Sequence, residues 1–260
     1  MTLLPKTDLL PLEKGRRVTI LAGPFGSGKT EIAVNRAFAA GKAGKAAIAD
    51  LDIVNPYFRS RELREDFEKK GILVAAPRGN LAQADLPALT GEMERILADP
   101  KIRLVVDVGG DPAGARLLGS YAPSLEKAGY SLFLVVNPNR PFVSNPEEIE
   151  GALREIEAAS KLRATAVLSN PHLIQLTTPE VVKEGHEIVK AGAARLGLPV
   201  AGLFFVPEFL GSWVPDGGDV PVVPLDRFML PPWFEDIRRF APYRDRRSLM
   251  ERAPGEEKGE

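Results

Sequence analysis

The sequence predicts an α/β fold, doubly wound around a mostly parallel sheet. Three observations predict it. Short apolar runs alternate with helical segments along most of the 260-residue chain. The runs are continuously apolar rather than alternating, which suits strands buried on both faces by helices. A glycine-rich stretch, Gly23-Pro24-Phe25-Gly26-Ser27-Gly28-Lys29-Thr30, follows the first run and precedes an alanine-rich helix.

Taken in order, Arg16–Ala22 reads as the first strand and Glu31–Ala40 as a helix, with Gly41 offering its stop. Lys45–Ala49 is a second strand that ends at Asp50-Leu51-Asp52. A helix over about Ser60–Lys70 carries Leu63 and Phe67 at i, i+4 spacing, and Gly71 ends it. Ile72–Ala76 is a strand. Ala84–Ala98 is mostly helical, with Pro87 and Gly91 as interruptions. Ile102–Val106 is a strand that runs into Asp107-Val108-Gly109-Gly110-Asp111. Ala113–Lys127 is partly helical and broken near Pro123. Ser131–Val136 is a strand followed by Asn137-Pro138-Asn139-Arg140-Pro141. Pro146–Ser160 is a helix with proline in its first turn and an apolar stripe of Ile149, Leu153 and Ile156. Ala164–Leu168 is a strand that ends at Ser169-Asn170, Thr178–Leu196 is a helix, and Val200–Val206 is expected as the last core strand. Residues 1–15 read as a leader, 16–240 as one nucleotide-binding domain and 241–260 as a partly disordered C-terminal tail, acidic over Glu251–Glu260.

Composition narrows the function classes. The net charge of -1 gives no argument for nucleic acid or an acidic membrane surface. No run approaches the roughly 20 apolar residues of a spanning helix, so no membrane partner and a cytoplasmic location are expected. Cysteine is absent, which excludes disulfides and cysteine-held clusters within this chain. The two histidines, His172 and His186, read as structural or surface residues.

Gly23–Thr30 spells G-x-x-x-x-G-K-[ST], the phosphate-binding P-loop, in its proper strand–loop–helix context. Glycines let the backbone curl so that its N–H groups converge on a phosphate tail. Lys29 would reach the β- and γ-phosphates, Thr30 would ligate Mg²⁺, and the helix would aim its positive end at the anion. The fold expected is therefore of the P-loop NTPase type.

In open parallel sheets ligands sit beyond the carboxyl ends of the strands. Asp107, after Leu104-Val105-Val106, fits a carboxylate that holds Mg²⁺. Gly110 completes D-x-x-G, where a glycine N–H senses the γ-phosphate. Asp50 and Asp52 end the second strand, one suited to orienting the attacking water and the other to the metal shell. The plainer alternative for these aspartates is an Asx-turn.

Asp50-Leu51-Asp52-Ile53-Val54-Asn55-Pro56 resembles the D-x-D-x-x-x-P stretch of the MinD/ParA/Mrp-type P-loop ATPases, within the CobQ/CobB/MinD/ParA nucleotide-binding group. Ala166-Val167-Leu168-Ser169-Asn170 and Phe205-Val206-Pro207-Glu208 are similar to two later segments of that group. The resemblance implies that Asp52 orients the hydrolytic water, Asp107 supports the metal, Asn170 reads adenine, and Pro207 and Glu208 line the base. It implies ATP and Mg²⁺ as cofactors, a conformational switch driven by hydrolysis, and an unidentified protein partner, second substrate or homodimer. Pro24 stands where many members carry a second lysine that crosses to a partner's nucleotide. Arg59, Arg61 and Arg140 are candidate compensating cations, and surface charges otherwise. Asn137–Arg140 lacks the N-K-x-D of guanine readers, so ATP is expected rather than GTP. Two other readings stay open: a kinase or amide-forming synthetase with a small acceptor, and a nucleotide-gated scaffold or chaperone with negligible turnover. Tyr57-Phe58-Arg59-Ser60-Arg61 reads as a switch-like segment or a plain loop-to-helix junction. Trp213, Trp233 and Phe234 read as a clamp for the C-terminal segment, and the arginines between Arg238 and Arg247 as a short basic helix.

Overall fold

The computed structural model describes residues 15–52, 61–76 and 86–229. Eight strands form one sheet in the order β3-β2-β4-β1-β5-β6-β7-β8. They are β1 Val18–Ala22, β2 Ala46–Leu51, β3 Leu73–Ala75, β4 Arg103–Val108, β5 Tyr130–Val136, β6 Ala166–Ser169, β7 Val200–Phe205 and β8 Val222–Pro224. Every neighbouring pair is parallel, so the sheet is wholly rather than mostly parallel. The helices are α1 Lys29–Ala43, α2 Arg61–Lys69, α3 Leu86–Ala98, α4 Pro112–Ser120, α5 Ala122–Ala128, α6 Pro146–Ser160, α7 Pro179–Leu196 and α8 Pro207–Leu210. The chain divides into two units, Met1–Asp226 and Arg227–Glu260, and every element named here lies in the first.

Both faces of the central strands are covered, because consecutive residues of β1 and β2 are all buried. Val18, Ile20, Ala22, Ala47, Ala49, Leu51, Leu104, Val106 and Val108 share one core cluster with Met93 of α3 and Leu125 of α5. The opposite parity, Ile48 and Asp50 on β2 with Val105 and Asp107 on β4, faces the side that carries α1, which packs on both strands. A second cluster joins β5 and β6 to α6 and α7, and a third joins β7, β8 and α8, with Trp213 packed against it.

Three helices start on the same local device. Asp111, Asn145 and Thr178 cap α4, α6 and α7 by accepting first-turn N–H groups, and a proline follows each.

The elements depart from the sequence expectations at four places, each for a physical reason. Gly41 does not stop α1, which runs on to Ala43. Its missing side chain makes room for Ile72, since a Cβ there would stand 2.8 Å from Ile72 Cδ1. Helix α3 is uninterrupted, because Pro87 falls in its first turn, where no N–H is needed. The break in the 113–127 segment comes at Tyr121, and Pro123 sits in the first turn of α5. Strand β7 is not the last, because β8 pairs with it through Val222, Val223 and Pro224. Prolines flank and end this strand, which an edge position tolerates. The leader, residues 53–60, the aromatic pair Trp233 and Phe234, the arginine-rich segment and the acidic tail lie outside the described residues, as do the side chains of Arg61 and Leu63.

After β8 the chain returns to α1. The buried Asn35 donates to the Asp226 carbonyl at 2.8 Å and accepts from the Asp226 N–H at 2.9 Å. It also donates to the Glu31 carbonyl at 2.8 Å. Replacing Asn35 with alanine leaves the Asp226 backbone without these partners and is expected to cost about 1–3 kcal/mol. The urea midpoint of Asn35→Ala checks this, and exchange of the β8 amides is expected to accelerate more than that of β1.

Candidate functional site

Strand β1 lies between β4 and β5, so the P-loop that leaves it is flanked by the carboxyl ends of both. Residue register fixes the flank on the β4 side. Asp107 is the partner of Leu21 on β1 and of Asp50 on β2, so the Asp50 and Asp107 side chains share one face. Both are buried. Thr30, in the first turn of α1, donates through Oγ1 to Asp107 Oδ2 at 2.6 Å. Asp50 Oδ1 accepts from the Asp52 N–H at 2.9 Å, so the Asx-turn alternative holds at Asp50 and serves to set Asp52. Asp52 sits just beyond β2, half-buried, and a Cβ on Gly109 would come within 3.3 Å of its Cα.

Lys29 is 7% exposed, and its Nζ donates to the Pro24 carbonyl at 3.0 Å. The Ser27 N–H donates to the same carbonyl at 3.3 Å. Two donors that a phosphate would draw upon thus converge on a carbonyl of the loop itself. Helix α1 starts at Gly28 (φ 89°) with no side-chain cap, which leaves its first-turn N–H groups to an anion.

The outer surface of the loop is held from β5 and β6. Asn170 Nδ2 donates to the Ser27 carbonyl at 2.8 Å. A side chain at Gly28 has no room, since a Cβ would fall 2.2 Å from that Nδ2. Asn137, fully buried, donates to the Gly26 carbonyl at 3.4 Å and the His172 carbonyl at 3.0 Å, and its Oδ1 accepts from the His172 and Asn139 N–H groups. Arg140 Nε donates to the Gly26 carbonyl at 3.3 Å. Gly110 lies against the loop on the other flank, where a Cβ would stand 2.6 Å from the Phe25 nitrogen. The Phe25 ring is 61% exposed.

The structure therefore brings Gly23–Thr30, Asp50, Asp52, Asp107, Gly110 and Asn170 to one edge. Pro207 and Glu208 open α8 beyond β7, three strands from β1 in the sheet order, with Glu208 exposed. Asn137, Arg140 and His172 belong to the loop's surroundings, and for His172 the sequence signals only a structural or surface role. The signal for Asn137 was present: it ends a strand and precedes proline, as Asn170 does. His186 is buried on α7, its Nδ1 2.9 Å from Ser169 Oγ.

Burial dominates the electrostatics. It pushes Lys29 down, against the attraction of Asp107, Asp52 and Asp111. It pushes Asp107 up to about 6, against Lys29 and the Thr30 hydrogen bond, with Asp52 adding to the rise. Asp107 Oδ1 and Ser27 Oγ are buried without a hydrogen-bond partner. An orphaned carboxylate oxygen beside a threonine hydroxyl is a hard-oxygen donor set that fits Mg²⁺. No cluster of three or more acidic, histidine or cysteine side chains suited to a metal occurs among the described residues. Mg²⁺ does not need such a cage, because it keeps waters and shares phosphate oxygens. No helix among the described residues is long and apolar enough to cross a membrane.

The chain has the P-loop NTPase fold: strand, P-loop and helix, with the aspartate-bearing β4 next to β1. No family model matches it, and no curated protein matches it. Among solved structures, FtsY from Mycoplasma mycoides is similar at 17% identity over 71% of this chain and 58% of its own, with a TM-score of 0.44. Chloroplast FtsY from Physcomitrella patens is similar at 16% identity over 75% and 63%, with a TM-score of 0.49. The signal recognition particle 54 kDa protein from Aeropyrum pernix K1, in complex with GDP, is similar at 17% identity over 75% and 42%, with a TM-score of 0.44. The chain thus spans less than two-thirds of each of these neighbours.

The raised Asp107 has a consequence for the unliganded chain. An aspartate in an unfolded chain titrates near ~3.9. Between about pH 4 and about 6 the native chain therefore holds a proton that the unfolded chain has released. Stability from this group is complete below that window and is lost as pH rises through it. Asp107→Asn is expected to remove the loss, so its stability relative to wild type should grow by up to about 3 kcal/mol from pH 4 to pH 7. Urea unfolding of both proteins across that range measures it.

Proposed function

We propose that the chain is a Mg²⁺-dependent ATPase of the MinD/ParA/Mrp-type P-loop group, in which hydrolysis drives a conformational switch. The observation that carries the reading is the Thr30–Asp107 hydrogen bond beside a buried Lys29 at the mouth of the P-loop. The motifs at Asp50–Asp52 and Ala166–Asn170 support the group assignment.

Lys29 and the loop amides bind the phosphate tail and take up charge as it develops on the γ-phosphate. Thr30 and Asp107 would hold Mg²⁺, with Asp50 and Asp52 near its shell. Bound there with the phosphates, the ion would neutralise the charge on their oxygens. Asp52, set by Asp50, accepts a hydrogen bond from the attacking water and orients it in line with the bond that breaks. Gly109 and Gly110 connect Asp52 to the Phe25 backbone, so loss of the γ-phosphate releases the segments on both sides of that contact.

Asn170 supports ATP over GTP. One Nδ2–H holds the Ser27 carbonyl and fixes the amide plane, and in this reading Oδ1, an acceptor, faces the base. An acceptor pairs with the amino group at C6 of adenine and opposes the carbonyl at C6 of guanine. Pro207 and Glu208 complete the base side in this reading.

Phosphate release from ATP and GTP, with binding by calorimetry, tests the proposal. Lys29→Ala is expected to abolish detectable binding. Asp52→Ala is expected to keep binding and to slow turnover by about a hundredfold or more. ATP is expected to bind at least about tenfold more tightly than GTP, a gap of ~1.4 kcal/mol that Asn170→Ala narrows. ATP binding without phosphate release, or release only with an added acceptor, would sink the hydrolase reading.

A further inference from the structure

The P-loop of this chain carries one lysine, because Pro24 holds the place of the second. A cation nevertheless stands on the loop, and it comes from another strand. Arg140 lies in the turn after β5, where its N–H donates to the Asn137 carbonyl at 3.0 Å. A Cβ built on Gly26 would stand 2.9 Å from Arg140 Nε, 3.2 Å from Cδ and 3.4 Å from Cζ. The guanidinium therefore lies directly on the loop backbone. Its Nε is spent on the Gly26 carbonyl, and its two Nη groups remain for a ligand.

Arg140 is half-buried, yet no carboxylate pairs with it among the described residues. The arginines of α6 and α7 and of the β6 approach behave differently. Arg154 and Arg195 pair with Glu150, and Arg163 pairs with Glu157. His172 feels the Arg140 charge: burial, and then Arg140, push it down to about 4. A half-buried guanidinium with two Nη groups open and no carboxylate partner among the described residues is placed to take an anion.

We infer that Arg140 is a phosphate-binding residue of the nucleotide site, supplying in cis the second positive charge that Pro24 withholds. The inference rests on the reading of the P-loop as a nucleotide site. Sheet order decides which phosphates it takes. Thr30, Asp107 and Asp52 lie on the β4 and β2 flank and serve the terminal phosphate. Arg140 lies on the β5 flank, the side of Asn170, and takes the phosphates nearer the nucleoside. Those are present in diphosphate and triphosphate alike, so Arg140 contributes uniform binding rather than stabilisation of the transition state.

Arg140→Gln tests this on the full chain, because glutamine keeps a donor for the Gly26 carbonyl and removes the charge. Calorimetry with ADP and ATP at low and high salt is the readout. The expected result is a loss of affinity of about tenfold for both nucleotides and a shallower salt dependence. Arg140→Lys should recover part of the affinity. Unchanged ADP binding in Arg140→Gln would overturn the inference and leave Arg140 as a strut. A loss confined to ATP would also overturn it, as would a lysine variant no better than the glutamine one. If wild type binds neither nucleotide, the nucleotide reading fails and this inference falls with it. Wild-type binding with an indifferent Arg140→Gln sinks the inference alone.

Discussion

The position of β1 between β4 and β5 governs everything at the candidate site. In a wholly parallel sheet all carboxyl ends meet one edge, so neighbours of β1 deliver their end residues to the loop that leaves it. From one side come carboxylates, and from the other come amides and a guanidinium. The loop is held at its carbonyls, Gly26 by Asn137 and Ser27 by Asn170. A planar trans peptide points its C=O and the next N–H in opposite directions. Anchoring these carbonyls outward therefore aims the N–H groups of Ser27 and Gly28 away from the anchors, toward the place where the loop closes on itself.

The same arrangement costs stability. Asp107 Oδ1 and Ser27 Oγ are buried without partners, and burial opposes charge on both Lys29 and Asp107. Sites that bind anions and metals commonly carry such costs in the unliganded state, because optimising them for the empty protein would fill the site with its own groups. The convergence of Lys29 and the Ser27 N–H on the Pro24 carbonyl is a partial filling of that kind, weak enough for a phosphate to displace.

Much of the fold was legible because its strands are continuous apolar runs and its helices α4, α6 and α7 begin at Asp-Pro, Asn-Pro and Thr-Pro. The misses share a cause. Gly41, Pro87 and the prolines around β8 are breakers by local preference, and tertiary context overrode that preference in each case. At the site, Lys29, Thr30 and Asp107 were legible because their spacing is local or tied to a strand end. Arg140 was one cation among several, since only the fold tells which arginine reaches the loop. His172 was read as structural or surface because its place beside Arg140 and Gly28 depends on how β6 docks on β5. The Asn170 side chain was read toward the base, and its bond to the Ser27 carbonyl emerges only from the folded loop.

The clasp between Asn35 and Asp226 has a mechanical meaning. Helix α1 begins in the P-loop, and two turns further on it grips the chain just after the far edge strand. The centre of the sheet and its β8 edge are thereby closed into a ring through a single rod. An edge strand of three residues would ordinarily fray independently of the centre. Here fraying must pull on the helix whose first turn closes the P-loop. Edge and centre become one cooperative unit, and stiffening of the loop by a bound anion would be felt at the opposite margin of the sheet.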